Sequence, residues 1–594
     1  MKNDCGLHSY VADRGGVPTL FVNGEPLPAA AYMTYLEQNN DYAAFADAGY
    51  RLFSVPVLCA GRWINSSVDV KPFNKGIFDR KGEPDFSPLD ASVGRILSAC
   101  PDAYIFPRVN LSAPLWWIEE NPDCADGTGR REALYSERYR EAAAGMLREV
   151  IAHVAESDYA PHIVGYQLAG GNTEEWFYFD LNGGLCENAE PAFRDFFKKR
   201  RPGREYPGLP DPSVLRRLGP YHEDENLALY LEFANAAVAE TIRYLCAAAK
   251  EATGRKLAVG IFYGYALEVA SPLWGTHALK TLLGSGDIDF ISSPNSYIGA
   301  RNDGFDWTEM YPASSVRLHG KVCMQECDVR THLTKLLSES AAEYRGDTHY
   351  TAPVWRAPGG PERSVAMLRK TFARQLIAGN GFWWFDMWGG WYRDPRLLAE
   401  IEQMREIYAD SLTKKNRRSK AQIAVFSDES AFRYMTECGH RNITHEQRAQ
   451  LGFAGAPYDM FDVCDFEAVY QRYRGVVFLT DAPTGALRRA LALCDREKIA
   501  YISPGRRGTC FFSAELRAFF RECGAHIYCE TDDLFYVGEN YFAIHATKAG
   551  VKTIYLNGAC SYRELLSENG LCGTGDTVRI PMRANETRLF ELGG

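Results

Sequence analysis

Residues 162–179 read HIVGYQLAGGNTEEWFYF, a short apolar run that ends at two glycines and a pair of glutamates. Seven similar apolar runs alternate with amphipathic stretches up to about residue 412. Strands that alternate with helices form parallel sheets, and eight such units predict an α/β fold of the (β/α)8, or TIM, barrel type. An open doubly wound sheet is the alternative, but its usual glycine-rich phosphate turn is missing. The predicted strands are Ala29–Tyr35, Leu52–Leu58, Ala103–Val109, His162–Ala169, Leu257–Phe262, Ile288–Ser293, Val322–Gln325 and Gly381–Phe385.

The predicted barrel occupies residues 1–412, and the pattern of apolar and polar residues changes after it. The polar and basic stretch TKKNRRSK (413–420) predicts a linker. The runs AQIAVFSDES, GVVFLTD and IAYISPG then alternate with helical segments and predict a flavodoxin-like α/β domain in residues 419–533. From residue 534, short strands separated by turn residues predict a small all-β domain, a β-sandwich, in residues 534–594.

Composition and charge argue against several classes of function. The 594 residues carry 76 acidic and 66 basic side chains, and a net charge of −10 is unfavourable for binding nucleic acid. The N-terminus lacks the apolar segment of a signal peptide, and no apolar stretch is long enough to span a membrane. The 16 cysteines are scattered, so we expect reduced thiols in a cytoplasmic protein.

Two of the predicted strands lead into acidic residues, at the barrel end where active sites lie. The fourth strand leads to Glu174 and Glu175. The seventh, in KVCMQECDVRTHL (321–333), leads to Glu326, which shares a strand face with Asp328. Retaining glycosidases use such a pair about 5–5.5 Å apart: one carboxyl protonates the leaving oxygen, and the other attacks the anomeric carbon. A salt-bridge role is the alternative for each acid.

Three passages resemble clan A glycoside hydrolases, and most closely the family 42 β-galactosidases and related three-domain β-glycosidases. VPTLFVNGEPLPAAAYMTY (17–35) is similar to their N-terminal hairpin and first strand. APLWWIEENPD (113–123) is similar to the passage after their third strand, and EPAFRDFFKKRRPG (190–203) to the helix after their acid/base. Acids after strands four and seven and the order of the domains match as well.

The resemblance implies that Glu326 is the nucleophile and that one glutamate of the pair is the acid/base. Family 42 enzymes carry Asn directly before the acid/base, whereas here one residue and a further glutamate separate Asn172 from Glu175. This departure indicates a sister family of the clan. We choose Glu175 as the acid/base because it precedes Trp176, whose ring can exclude water; Glu174 is the alternative.

Five further residues are candidates for binding substrate. Arg108 could bind sugar hydroxyls or hold the acids, with an ion pair inside the barrel as the alternative. Asn172 lies next to the acidic pair. Tyr297 follows the sixth strand, where clan members often place a tyrosine that hydrogen-bonds the nucleophile. Trp384 could stack on a sugar and Asp386 could accept from its hydroxyls; a packed aromatic wall is the alternative for this segment.

These observations predict a retaining hydrolase of β-linked glycosides, resembling a β-galactosidase or β-mannosidase and acting on chain ends. A transglycosidase or a catalytically silent carbohydrate-binding protein on the same barrel is the alternative. Amidotransferase chemistry in the middle domain is disfavoured, because the closest cysteine string, GLCG (570–573), falls in the terminal domain. The resemblance implies a middle domain that assembles trimers. The zinc-binding cysteine cluster of some relatives is missing, so we expect no metal, and glycoside hydrolysis needs no cofactor.

Overall fold

The computed structural model describes residues 6–61, 70–126, 131–171, 174–178, 185–482 and 484–593. The chain begins with an antiparallel hairpin of β1 (Ser9–Arg14), β2 (Val17–Val22) and β3 (Glu25–Pro26). Val11 and Leu20 of this hairpin pack against apolar residues at the amino ends of the strands that follow. The hairpin therefore closes that end, and the opposite end is left for the loops.

Eight parallel strands follow and close into a barrel in chain order, which confirms the predicted (β/α)8 fold. Every residue in these strands except Tyr104 is buried, as in parallel sheets that are covered on both faces. The strands are β4 (Ala30–Met33), β5 (Leu52–Leu58), β6 (Tyr104–Asn110), β7 (Gly165–Ala169), β8 (Ala258–Phe262), β9 (Phe290–Pro294), β10 (Val322–Cys327) and β11 (Gly381–Phe385).

The seventh barrel strand is longer than the sequence indicated. It was expected to end at Gln325, but β10 continues to Cys327, since β9 pairs with it as far as Glu326 and β11 as far as Cys327. Glu326 thus lies within a rigid strand. The fourth strand, in contrast, is shorter at its start, since Ala160–His162 forms a 3-10 turn.

The helices of the barrel begin and end at recognisable sequence signals. The Ser136 and Asp224 side chains accept hydrogen bonds from backbone N–H groups at the starts of α4 and α6. Pro361 begins α10, and Gly379, with φ of +70°, ends it. The helices are α1 (Tyr42–Asp47), α2 (Ser87–Ala99), α3 (Leu115–Glu120), α4 (Glu137–Glu156), α5 (Glu190–Arg200), α6 (Glu225–Ala252), α7 (Leu279–Leu283), α8 (Ala313–Leu318), α9 (Leu337–Ser340), α10 (Pro361–Ala378) and α11 (Pro395–Ser411).

The middle domain is a four-stranded parallel sheet in the order β13-β12-β14-β15, the beginning of a flavodoxin-like order, as predicted. Its strands are β12 (Ile423–Ser427), β13 (Tyr458–Asp462), β14 (Gly475–Phe478) and β15 (Ala500–Ile502). Its helices are α12 (Glu437–Gly439), α13 (Glu446–Gly452), α14 (Phe466–Val469), α15 (Gly485–Glu497), α16 (Pro504–Arg507) and α17 (Ser513–Glu522), with a π-helical turn over His440–His445.

The C-terminal domain is all-β, but its strands form one antiparallel sheet and not the expected sandwich. The order is β16-β17-β20-β18-β19, with β16 (Leu534–Val537), β17 (Tyr541–His545), β18 (Gly550–Leu565), β19 (Cys572–Met582) and β20 (Thr587–Gly593). The long strand β18 pairs with both β19 and β20, and its register shifts between Tyr555 and Cys560. A single strand therefore joins what would have been two layers.

The C-terminal sheet packs on helix α10 of the barrel. The Thr587 hydroxyl donates to the carbonyl of Ala366 at 2.8 Å, and Tyr536, Ala543 and Leu589 belong to the same apolar cluster as the barrel core. One face of the sheet therefore packs into the barrel core, and the sheet also has a core of its own. Among the helices of the described residues, none has both the length and the apolarity needed to cross a membrane.

Candidate active site

Three glutamates meet at the carboxyl ends of the barrel strands. Glu326 lies near the end of β10, opposite Pro294 of β9 and Trp383 of β11. Glu174 and Glu175 follow β7. Glu174 and Glu326 are 1% and 5% exposed, so both acids are removed from bulk water.

The loop after β7 turns back on itself to present its two acids. Trp176 N donates to the Gly170 carbonyl at 2.7 Å, and Gly170 N donates to the Glu174 carbonyl at 3.2 Å. Glu174 and Trp176 have φ of +72° and +61°, values that cost non-glycine residues about 1–3 kcal/mol each. A Cβ atom on Gly170 would lie 2.5 Å from the buried Trp176 ring, so only glycine fits. The glycines therefore permit this local strain.

Arg108 of β6 joins acids from the two strands. Its Nη1 donates to Glu174 Oε2 at 3.2 Å, and its Nη2 donates to Glu326 Oε2 at 3.1 Å. Its Nε donates to Gln167 at 3.0 Å, and the ring of Trp383 lies 5.1 Å from the guanidinium carbon. One guanidinium thus fixes the relative positions of Glu174 and Glu326. Of the roles considered for Arg108, these contacts correspond to holding the acids in place.

Glu175 has a different environment from its neighbour. Its Oε1 accepts a hydrogen bond from the Tyr265 hydroxyl at 3.1 Å, and its Oε2 is buried with no hydrogen-bond partner among the residues that the structure describes. Burial, reinforced by the negative charges of Glu326 and Glu174, raises the pKa of Glu175 well above its ordinary value. A carboxyl whose pKa is raised in this way is suited to giving a proton to a leaving group.

Burial raises the pKa of Glu326 to about 7, and the Arg108 guanidinium limits the rise. Asp328, the next residue on that strand face, adds negative charge nearby. Asp328 is itself paired with Arg301 and, at 2.7 Å, with Arg330. Glu326 is thus mostly ionised above about pH 7, where it can act as a nucleophile.

Asn172 and Tyr297 were also predicted to belong to the site. Asn172 lies outside the described residues. Tyr297 lies beside the site, under Arg301 at 3.9 Å, and burial raises the pKa of its hydroxyl. Within the described part of the chain, its hydroxyl makes no hydrogen bond to Glu326, although clan resemblance had suggested one.

Two predicted substrate contacts require correction. Trp384 faces outward from the barrel, where its Nε1 donates to the Tyr50 hydroxyl at 2.8 Å, so it offers no stacking face. Asp386 is fully buried, and its oxygens accept from the Tyr32 hydroxyl and from the backbone N–H groups of Gly390 and Trp391, each at 2.9 Å. It holds the loop after β11 and leaves no oxygen for a sugar.

Sequence reasoning missed two residues that touch the acids and one that lies beside Arg108. The Tyr35 hydroxyl donates to Glu174 at 2.6 Å, the Tyr265 hydroxyl to Glu175, and Trp383 stacks near Arg108. Trp383 could have been found from strand alternation, because Trp383 and Trp384 must face opposite sides. Tyr35 and Tyr265 lie in loops, where the sequence gives no orientation.

Aromatic side chains form a wall beside the acids. Tyr35 stacks on Phe73 with ring centroids 5.1 Å apart, and Trp388 packs against Phe73 at 5.5 Å. Tyr350 connects Trp388 to Trp355. Faces of this kind suit the apolar side of a sugar ring, although they also pack on one another.

A cavity of about 680 Å³ lies elsewhere, between the barrel, the middle domain and the C-terminal sheet. Arg317, Arg374 and Tyr458 are among its lining residues. None of Glu174, Glu175 and Glu326 lines it, so the carboxyl cluster at the strand ends, and not this cavity, is the candidate active site.

By sequence, the chain matches no protein-family model and no curated protein. By structure, it is similar to the β-galactosidase from Bacillus circulans sp. alkalophilus, with a TM-score of 0.59, 13% identity and coverage of 95% of this chain and 98% of that one. The chain shares the three-domain fold of this β-galactosidase. The β-galactosidase from the psychrophilic Marinomonas ef1 gives a TM-score of 0.59 at 12% identity, and the match covers 95% of this chain and 99% of that one. The exo-carrageenase GH42 from Bacteroides ovatus gives a TM-score of 0.57 at 11% identity, and the match covers 98% of this chain and 84% of that one.

The similarity to the β-galactosidase fold covers all three domains, which confirms the predicted resemblance at the level of the fold. In this chain, Glu175 follows the fourth barrel strand and Glu326 lies near the end of the seventh. These are the positions at which the sequence analysis expected acids.

Proposed function

We propose that the protein is a retaining β-glycosidase in which Glu326 is the nucleophile and Glu175 the acid/base. The observation that carries the proposal is the difference between the two carboxyl environments: Arg108 donates to Glu326, whereas among the described residues Glu175 accepts only from the Tyr265 hydroxyl. Environments that push two carboxyl pKa values apart assign the acid and the nucleophile. The substrate class is a β-galactoside or β-mannoside, cleaved from a chain end.

In the first step, a Glu326 oxygen attacks the anomeric carbon while the bond from that carbon to the leaving oxygen breaks. The Glu175 carboxyl gives its proton to the leaving oxygen. The products are an alcohol, a covalent glycosyl ester on Glu326 and an ionised Glu175. In the second step, Glu175 takes a proton from water, the water oxygen attacks the anomeric carbon, and the ester bond breaks to restore the Glu326 carboxylate.

Glu174 is the counter-ion of Arg108 in this scheme. Formation of the ester removes the negative charge of Glu326, and the guanidinium then keeps Glu174 as its partner at 3.2 Å. Arg108 is only 1% exposed, so loss of both partners would leave an unpaired buried charge. This pairing supports Glu175, and not Glu174, as the acid/base.

The experiment is cleavage of a panel of nitrophenyl β- and α-glycosides by the wild type, Glu326→Ala, Glu175→Ala and Glu174→Gln. We expect one or more β-glycosides to be cleaved, and Glu326→Ala to lose several orders of magnitude in kcat. Added azide should rescue Glu326→Ala with an α-glycosyl azide as product and Glu175→Ala with a β-glycosyl azide, because only the second keeps the covalent step.

If Glu174→Gln formed the β-glycosyl azide and Glu175→Ala did not, Glu174 would be the acid/base in place of Glu175. Full activity of Glu326→Ala would remove the nucleophile assignment. Sugar binding without any cleavage by the wild type would favour a silent carbohydrate-binding protein, and transfer to added alcohol in preference to water would indicate a transglycosidase.

A further inference from the structure

A buried arginine of the middle domain reaches the barrel loops beside Glu175. Arg448 lies on α13 and has no exposed surface. We propose that Arg448 is a positioning residue for the acid/base, because it fixes the loop that carries Tyr265. The inference rests on the proposed function of Glu175, and it makes the middle domain a working part of the active site.

The guanidinium of Arg448 joins two neighbouring loops. Its Nη1 donates to the Leu267 carbonyl at 2.7 Å and to Glu268 Oε2 at 3.1 Å, both in the loop after β8. Its Nη2 donates to the Glu309 carbonyl at 2.7 Å, in the loop after β9. One side chain from another domain therefore sets the spacing of these two loops.

The loop after β8 connects Arg448 to Glu175 in a few residues. Glu268 N donates to the Tyr265 carbonyl at 3.0 Å, so residues 265–268 form a turn. Arg448 holds one side of this turn, and on the other side the Tyr265 hydroxyl donates to Glu175 at 3.1 Å. Because the Tyr265 hydroxyl is the hydrogen-bond donor to Glu175, movement of the turn would release the carboxyl.

Glu268 extends the connection to the loop after β9. Its carboxylate accepts from the Ser296 hydroxyl at 2.7 Å and from Tyr297 N at 2.8 Å. Although burial opposes ionisation, His445, Arg448 and Ser296 lower the pKa of Glu268 to about 2. The contact between Arg448 and Glu268 is therefore an ion pair throughout the pH range in which a glycosidase works.

Arginine suits this position for a geometric reason. A planar fork can serve a carboxylate and two carbonyls at once, whereas a lysine ammonium acts as a point charge. Replacement by an apolar side chain would take the arginine away from the buried Glu268 carboxylate and leave it with His445, Ser296 and Tyr297 N. The contacts point to a fixed arrangement of loops as the role of Arg448.

The kinetic test compares Arg448→Met, Arg448→Lys and Tyr265→Phe with the double variant Arg448→Met/Tyr265→Phe. Arg433→Met is the matched control, since Arg433 pairs the middle domain with Glu232 on α6, away from the loops. We expect Arg448→Met to lower kcat about 10- to 100-fold for a poor leaving group, the range for a hydrogen bond to a charged group. An activated aryl leaving group needs little protonation, so its loss should be much smaller.

Two further readouts separate positioning from general damage. The Tyr265 hydrogen bond lowers the pKa of Glu175, so Arg448→Met and Tyr265→Phe should both move the alkaline limb of kcat/KM to higher pH. The kcat of the double variant should be no lower than that of Tyr265→Phe, because both changes act through the same contact between Tyr265 and Glu175. Arg433→Met should leave the limb and the leaving-group dependence unchanged.

Hydrogen exchange of the backbone amides tests the contacts of Arg448 with these loops without any substrate. Exchange in residues 263–268 and 295–297 should accelerate in Arg448→Met and Arg448→Lys but not in Arg433→Met. Unchanged exchange there would overturn the proposal, as would a double variant whose loss equals the product of the single losses. If exchange accelerates but the wild type cleaves no glycoside, the proposed function fails, and the catalytic role of Arg448 fails with it.

Discussion

At the scale of single residues, Arg108 has the most consequences, because two buried carboxylates depend on it. Arg108→Lys keeps one charge but cannot span Glu174 and Glu326, which both accept from the guanidinium. We expect kcat/KM to fall at least 100-fold, by analogy with other lost charge-assisted contacts of about 3 kcal/mol. The acid limb of the pH profile should also move upward, since Arg108 lowers the pKa of Glu326. A variant with wild-type kinetics would contradict this role.

The same residues predict the pH dependence of activity. Burial raises the pKa of Glu326 to about 7, so kcat/KM should fall about tenfold per unit as pH drops below that value and the nucleophile is protonated. At higher pH, loss of the Glu175 proton should lower the rate. In Glu175→Gln, assayed with an activated aryl glycoside, the acid limb should persist and the alkaline limb should disappear. A persistent alkaline limb would point to another acid.

Glu175 should also reduce stability as pH rises. Its pKa is raised on folding, so the folded state keeps a proton that the unfolded state releases above its ordinary value of 4.5. The stabilisation is complete below that pH and is lost as pH rises through the folded pKa. We expect Glu175→Gln to match the wild-type Tm near pH 4 and to exceed it increasingly toward pH 8. Glu174→Gln, which breaks the Arg108 pair, should lower Tm at neutral pH.

How far the sequence predicted the site depends on what each residue needs to be recognised. Glu175 and Glu326 follow predictable strands, so their positions could be anticipated. Tyr265 reaches Glu175 through a loop whose shape depends on another domain, and no local pattern contains that information. Trp384 was assigned to the sugar because the residue type was right, but strand alternation turns its neighbour Trp383 toward the site instead.

At the scale of elements, the turn after β7 is the one most sensitive to a single added atom. Gly170→Ala places a Cβ 2.5 Å from the Trp176 ring, which is fully buried and has no room to move. We expect a loss of about 1–3 kcal/mol in the free energy of unfolding, together with reduced kcat. Gly94→Ala is the matched control: its Cβ meets nothing within 4 Å on exposed helix α2, so it should stabilise by roughly 0.5–1 kcal/mol. Equal effects of the two changes would argue against a tight turn.

Element types were predictable because buried parallel strands and amphipathic helices have distinct periods. Their ends were less so. β10 runs on because β9 continues to pair with it as far as Glu326 and β11 as far as Cys327, which is a tertiary effect. The expected β-sandwich is one sheet for a similar reason: β18 pairs with both β19 and β20, and the local pattern of short strands does not reveal this pairing.

At the scale of the whole molecule, the packing of one sheet face into the barrel core predicts that the barrel and the C-terminal sheet unfold together. All 11 tryptophans lie before residue 392, so tryptophan fluorescence reports on the barrel. Cys529, buried in the core of the sheet domain, reports on that domain through its reactivity with a thiol reagent. Both probes should change at one temperature, and Leu589→Ala should lower that temperature for both. Reaction of Cys529 well below the fluorescence transition would show separate unfolding.

The sheet order has a consequence for synthesis on the ribosome. Strands β16 and β17 emerge as one hairpin and β18 and β19 as another, but β20 must insert between them. Until β20 arrives, the nascent chain carries two unjoined hairpins, and the face of α10 that β17 and β20 cover is open. The last of these five strands in chain order is thus the central one of the sheet, and the interval before its arrival is when a chaperone would find the most to bind.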